Sequence, residues 1–254
     1  QMCIRDRNRS HSFWSLGFFC SGLTGALFSQ MQISPFINFS LSLIFGTALT
    51  ILFCIKYKPA EMRPNLNSNN SLFVIPTRAV MGLIILTLSP MLLESASIDW
   101  SVIYMRDVFS TPPFLNGMAI VMVAFTQFSI RYYADQFVEI YGSDIISKIS
   151  IIAMFIGVTL VFFSNFPYLS LIGFAFIGGG SAVLFPLAMS AAAQKTDRSA
   201  ASNVALLAQI SFLIFLLAPP FLGYIAENFG IRISFGIGLP LIMLSCLLYT
   251  SDAA

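Results

Sequence analysis

Runs of about 20 apolar residues, the length of α-helix that crosses a hydrocarbon core, recur along this chain with short polar breaks between them. Eight such spans can be marked, at roughly 11–30, 35–55, 76–99, 113–133, 146–163, 168–192, 200–224 and 231–248. A soluble core of the same length would alternate apolar with polar residues sooner. At 254 residues a soluble α/β enzyme is possible by length, but 57% hydrophobic against 9% charged residues, with a mean hydropathy of +0.84, calls for lipid as solvent. The expected fold class is all-α, a polytopic membrane helix bundle.

Several function classes drop out on composition and motifs. The 13 Lys and Arg residues are scattered between apolar blocks and the net charge is +2, so no basic stripe for nucleic acid exists. Cys3, Cys20, Cys54 and Cys246 show no CxxC spacing and no His partners, so neither a metal site nor a disulfide framework is implied, and no cofactor is expected. The sequence holds no HExxH and no GxSxG with a distant His, as an intramembrane enzyme would need. Gly178-Gly179-Gly180 is not a phosphate loop, because no strand precedes it and no GK[ST] follows.

The longest polar stretch, Lys56 to Ser71, carries Lys56, Lys58, Arg63, two prolines and an Asn/Ser cluster and reads as a linker between two bundles. Lys56, Lys58, Arg63, Arg78, Arg131, Lys148, Lys195 and Arg198 fall on one side of the membrane in this scheme, Arg106 and Arg232 on the other. The positive-inside rule then makes the linker (56–75), the 131–148 loop, the 194–199 loop and both chain ends cytoplasmic, with 31–34, 104–112, 164–167 and 225–230 outside. The ends themselves, residues 1–7 and 246–254, look like in-frame translations of a transposon-type sequencing adaptor and are set aside as non-native.

Glu94-Ser95-Ala96-Ser97-Ile98-Asp99-Trp100-Ser101 resembles the E-G-A-x-x-D-W-S signature of the seventh span in the MosC/YbjJ-like group of major facilitator carriers, with Ser95 at the Gly position. Tyr104-Met105-Arg106-Asp107-Val108 resembles the Y-L-R-D-V that follows it. Phe185-Pro186-Leu187 resembles the tenth-span F-P-L, and Ala201-Ser202-Asn203-Val204-Ala205 the A-S-N-x-A of the eleventh, whose outer G-P-P-x-x-G is matched by Ala218-Pro219-Pro220-Phe221-Leu222-Gly223. Phe13-Trp14-Ser15-Leu16-Gly17 is similar to the fifth-span F-S-L-G. The resemblance implies a fragment with the last eight of twelve spans: residues 8–55 as the last two helices of the N-terminal bundle, and 76–245 as the C-terminal six-helix bundle. It also implies a secondary carrier of a small solute, working by alternating access and coupled to protons in a bacterial inner membrane. Sugars, sugar-like amines, drugs and organic acids all stay open as substrates, with a tilt to small polar solutes. The partners expected are that solute, a proton, the bilayer and the missing N-terminal helices of the same chain. A non-transporting membrane receptor or sensor on the same fold would look identical at this level.

Glu94 is the sharpest candidate residue, because an ionisable group within a span is costly and faces a bundle interior or a water-filled cavity. It is expected somewhat outward of mid-membrane, with Ser97 and Ser101 on its face at i+3 and i+7. It reads as a proton-coupling or substrate-binding carboxylate, or as a purely structural interhelical hydrogen-bonding group. Asp99 lies about 140° further around the helix and is either a gate residue or an interfacial anchor beside Trp100, solvated or paired with Arg106. Pro90 frees the carbonyl of Leu86 and is a hinge candidate. Gln127 and Asn203 are in-span amides for a cavity wall or for interhelical bonding. Arg131 and Asp135, at i and i+4, resemble the superfamily's G-R-x-x-G-D loop motif, although Ile130 and Ala134 stand at its small-residue positions. The resemblance makes them a conformational latch at the inner face, away from substrate, as against an ordinary solvated ion pair. His11 is expected to cap or anchor the first span. Gly173, Gly178, Gly179 and Gly180, with Gly17, Gly22 and Gly25, are expected to let helices approach closely.

Overall fold

The structure, a computed structural model, describes the backbone of residues 2–56 and 76–251 and the side chains of 12–56 and 76–247. Most of the expected linker and the side chain of His11 therefore lie outside the described residues. Among the described residues every regular element is a helix: α1 (Met2–Gln30), α2 (Pro35–Lys56), α3 (Arg78–Phe109), α4 (Pro113–Phe163), α5 (Pro167–Gln194), α6 (Ala200–Phe229), α7 (Ile231–Gly236) and α8 (Gly238–Ser251). Five of these, α2 to α6, are long and apolar enough to cross a membrane. The chain is an all-α membrane helix bundle, the form in which a lipid-solvated backbone bonds its own N–H and C=O groups.

The helix starts follow local chemistry. Thr77 caps α3 by accepting from the Val80 N–H at 3.4 Å, and Ser199 caps α6 by accepting from Ser202 N–H at 3.3 Å. Prolines open α4 and α5, where a missing N–H has no helical partner to lose.

Several expected boundaries are corrected; one is that α6 runs on to Phe229, so 225–229 is helix and not loop. The span expected to end at 99 continues as helix to Phe109, so 104–112 is not a loop throughout. Tyr104 and Met105 are fully buried there, and the Tyr104 ring packs edge-on against Phe174 and Phe235 at 5.6 and 5.3 Å; these core contacts hold the extra turns. The expected 131–148 loop is helical apart from Gly142, where φ of 82° and ψ of 155° break α4 in two. Nothing lies within 4 Å of a Cβ built there, so the glycine serves the backbone angle and not the space around it. The eighth span is divided at Ile237 into α7 and α8.

Side chains tie the helix ends together at two places. On one face Asp197, between α5 and α6, accepts from Thr77 and from Asn203. On the other, Gln30 accepts from the Phe114 N–H, while Arg232 donates to the Phe162 carbonyl and to Asn165.

α3 is the central helix: every residue from Ser89 to Ser97 is buried, as expected of a helix surrounded by others. Thr87 bonds Ser211 of α6 and Ser89 bonds Ser245 of α8, each at 3.0 Å. α2, by contrast, has no buried residue. α4 and α5 touch backbone to backbone, because a Cβ on Gly178 would lie 2.5 Å from the Val123 carbonyl and one on Gly180 2.6 Å from that of Ser150. The close approach expected of Gly173 is also present, against Gly157. Gly17 and Gly25 have no such neighbour among the described residues.

Candidate functional site

Two prolines set up the site. Pro186 in α5 and Pro219 in α6 cannot donate to the carbonyls four residues earlier, those of Ala182 and Phe215, which are left without their helical partner. Side chains from neighbouring helices replace those bonds. Arg131 Nε donates to the Ala182 carbonyl at 3.0 Å, and Ser95 Oγ to that of Phe215 at 3.1 Å. The close α4–α5 seam brings Arg131 to this carbonyl, and one turn earlier Gln127 donates to Ser181 at 3.3 Å.

With Nε fixed, the rest of the guanidinium faces α1 and α3. Its Nη1 donates to Ser15 Oγ at 2.9 Å, and its Nη2 to both oxygens of Glu94, each at 3.1 Å. The side chains of Arg131 and Glu94 are only 8% and 4% exposed, so this is a fully desolvated ion pair, unlike the exposed Arg106–Asp107 and Lys148–Asp144 pairs. The Trp14 ring centre stands 6.0 Å from the guanidinium carbon, within cation–π range.

The pair forms the polar wall of a cavity of about 320 Å³. The remaining wall is Trp14, Met91, Phe185, Phe212 and Phe215, so five helices converge on it. Phe185 and Phe212 meet edge to face at 5.8 Å. A second cavity of about 390 Å³ between α4 and α5, lined by Thr126, Ile130, Ala134, Phe137 and Phe176 among others, carries no charged group and offers no chemistry of its own.

The placement of Arg131 departs from the expectation. It lies 11 residues before the Gly142 break, inside the membrane-length part of α4 and not in a loop. Its hydrogen bonds go to Glu94, Ser15 and Ala182, which puts it on the cavity wall; it no longer counts among loop cations, and the loop motif's spacing gave no hint of a partner 37 positions upstream. Asp135 lies one turn further along α4 and is half-buried. Asp99 is exposed and shares the Ser95 hydroxyl, at 3.3 Å, while Arg106 pairs with its neighbour Asp107. Asn203, fully buried, donates to Asp197 at 2.9 Å near the start of α6, nine residues and about 13 Å of helix before the cavity's Phe212. Those bonds, from Thr77 foremost and then Asn203, hold the Asp197 carboxyl below the usual carboxylate range. Ser97 and Ser101, on the Glu94 face, are buried and their hydroxyls have no hydrogen-bond partner among the described residues.

Sequence reasoning missed Ser15, Ser95 and the three phenylalanines as site residues. The signal available was the pair of in-span prolines, each of which marks a free carbonyl four residues back.

No protein-family model matches the chain. It is similar to an uncharacterized transporter of Sinorhizobium fredii (strain NBRC 101917 / NGR234), with 25% identity over 227 residues, 89% of this chain and 60% of that protein. It is also similar to an uncharacterized MFS-type transporter of Yersinia pestis, with 26% identity over 165 residues, 65% of this chain and 43% of that protein. The chain therefore spans less than two thirds of the length of either relative.

Proposed function

We propose that this chain is part of a membrane transporter of the major facilitator type, a secondary carrier that moves a small solute by alternating access and couples it to protons. The observation that carries this reading is the desolvated Glu94–Arg131 pair on the wall of a cavity where five helices meet. Ionisable groups at membrane depth are costly, and those that persist mark substrate and ion pathways. The similarity to two proteins named as transporters supports the same reading.

In this proposal Glu94 is the coupling carboxylate and Arg131 its charge partner, so the inner-face latch is reassigned to the cavity. Gln127 holds the α4–α5 seam beside Arg131. Asp99 sits at the outer mouth near Trp100, Asn203 and Asp197 tie the opposite end, and Asp135 remains the inner-face residue of α4. Pro90 is the hinge candidate of α3, one turn from Glu94. The protein lies in a bacterial inner membrane, with 57–75, the Gly142 break and 195–199 on the cytoplasmic side, since Lys56, Lys58, Arg63, Arg78, Lys148, Lys195 and Arg198 gather there.

The test is solute-driven proton flux in vesicles carrying the full-length protein that contains this chain, screened over sugars, amines and organic acids, with native Glu94 against Glu94→Gln. Flux abolished by the substitution is the expected result. Flux unchanged would make Glu94 structural, and no flux with any solute would leave the carrier reading without support.

A further inference from the structure

We infer that the cavity takes a monoanionic organic compound with an aromatic or apolar body, whose anionic group replaces Glu94 on Arg131 while Glu94 takes up one proton. This rests on the carrier reading above and names its substrate class.

The walls argue for the apolar body. Trp14, Met91, Phe185, Phe212 and Phe215 surround the ion pair, and among the described residues that line the cavity, apart from the Trp14 indole N–H, Glu94 and Arg131 alone offer hydrogen-bonding side chains. A sugar or other polyol would bury several hydroxyls there without partners, which is unfavourable. A planar ring stacks on such walls at no polar cost.

The ion pair argues for the sign of the charge. A cationic solute would have to draw Glu94 from Arg131, and the guanidinium, which cannot lose its proton, would be left as a buried unpaired charge. An anionic solute draws Arg131 from Glu94 instead, and a carboxylate left alone can be neutralised by a proton. Arg131 need not move for this exchange, since Ala182 and Ser15 hold its Nε and Nη1 independently of Glu94. Ser97, on the same face of α3 at i+3, has a buried hydroxyl with no hydrogen-bond partner among the described residues. The charges balance: carboxylate plus guanidinium becomes carboxylic acid plus guanidinium plus bound anion, with one proton gained. Transport is thus electroneutral, one proton per monoanion.

Among the described residues, few other charges face Glu94. α5 and α8 carry no Asp, Glu, Lys, Arg or His, Glu227 and Arg232 lie at the far ends of α6 and α7, and Asp135 is one turn beyond Arg131 on α4. Asp99 is five residues on along α3, and on α1 His11 stands one turn before Ser15.

The experiment uses benzenesulfonate, which stays ionised and does not leak through lipid as a neutral acid, with myo-inositol and benzylamine as neutral and cationic comparisons. Vesicles carrying the full-length protein are given an inward proton gradient at clamped zero potential, and binding is followed by quenching of Trp14, with Trp14→Phe identifying that signal against Trp100 and any further tryptophan of the full-length protein. Expected are protein-dependent benzenesulfonate uptake driven by the proton gradient, insensitive to an imposed potential, with apparent affinity falling by up to about tenfold per pH unit as pH rises, and loss of binding in Arg131→Gln. Inositol or benzylamine uptake without benzenesulfonate uptake would overturn the substrate class and leave the carrier reading standing. Benzenesulfonate uptake that carries net charge, or binding that ignores pH, would overturn the exchange at Glu94. No uptake of any solute would remove the carrier reading and this inference with it. Should Arg131→Gln not fold, the pH dependence of Trp14 quenching in the native protein decides between these outcomes.

Discussion

Removing either partner of the Glu94–Arg131 pair by a glutamine substitution destabilises the protein, but the two losses differ in their response to pH. In Glu94→Gln the guanidinium stays charged at every accessible pH. It keeps its bonds to Ala182 and Ser15 but loses its counter-charge, and breaking a buried pair in this way costs about 3–5 kcal/mol. In Arg131→Gln the remaining carboxylate has an escape, because it can be protonated. Protonating an ordinary glutamate, which titrates near 4.3 in water, costs about 3.7 kcal/mol at pH 7, that is, roughly 1.36 kcal/mol for each of the 2.7 pH units between. That figure caps the charge part of the loss. The folded Arg131→Gln protein then binds one proton more than its unfolded chain, so its stability rises as pH falls, by about 1.4 kcal/mol per unit, until the unfolded carboxyl is protonated too. Thermal unfolding of the full-length protein in detergent, followed between pH 5 and pH 8, reads both variants. Arg131→Gln should recover part of its lost midpoint towards pH 5, the share due to charge and not that due to the lost bonds to Ala182 and Ser15, and Glu94→Gln should recover none. Equal losses with equal pH dependence, or no loss in either variant, would refute the desolvated pair and the charge accounting drawn from it.

Gly142→Ala forces a Cβ onto a residue at φ 82° and ψ 155° and should cost about 1–3 kcal/mol, seen as a lowered unfolding midpoint with the cavity's tryptophan signal retained. Gly178→Val places side-chain atoms against the Val123 carbonyl and should cost about 1–3 kcal/mol by overpacking, whereas Gly17→Ala, where a Cβ meets nothing within 4 Å among the described residues, should be neutral in this chain by the same assay. Asp197 is held below the usual range by Thr77 and Asn203, so its contribution is present above about pH 4, the unfolded value, and is lost as pH falls through the folded one. Asp197→Asn should therefore flatten the acid end of the stability profile, a comparison of midpoints between about pH 3 and 6 that an unchanged profile would contradict.

The helices were legible because lipid leaves an apolar chain little choice, and the eight apolar runs carry that information directly. Their ends were less so. Hydropathy falls where Asp99, Arg106 and Asp107 occur, yet α3 continues because Tyr104 and Met105 have core partners on other helices, which a one-dimensional window cannot see. The same blindness put Arg131 in a loop: a lone arginine in a run containing Tyr132, Tyr133 and Asp135 lowers the mean hydropathy and looks like the end of a span. Its counter-charge lies 37 positions away on α3, and only the packing of α4 against α3 and α5 reveals that the two charges cancel inside the bundle.

Glu94 was recognisable from sequence because a single carboxylate in an apolar run is conspicuous, but what it can do depends on groups that are individually unremarkable. Pro186 removes one N–H, the carbonyl of Ala182 is thereby free for Arg131 Nε, and Ser15 from α1 fixes Nη1. Arg131 is consequently positioned by α5 and α1 before Glu94 contributes anything. A cation held in place by neutral partners, with a titratable anion as a counter-charge in contact, can exchange that anion without rearranging itself. The apolar walls make the exchange selective, since any group that displaces Glu94 must bring one negative charge and very little other polarity. The chemistry of this site therefore resides less in the carboxylate that the sequence displays than in the proline-freed carbonyl that keeps the arginine where it is.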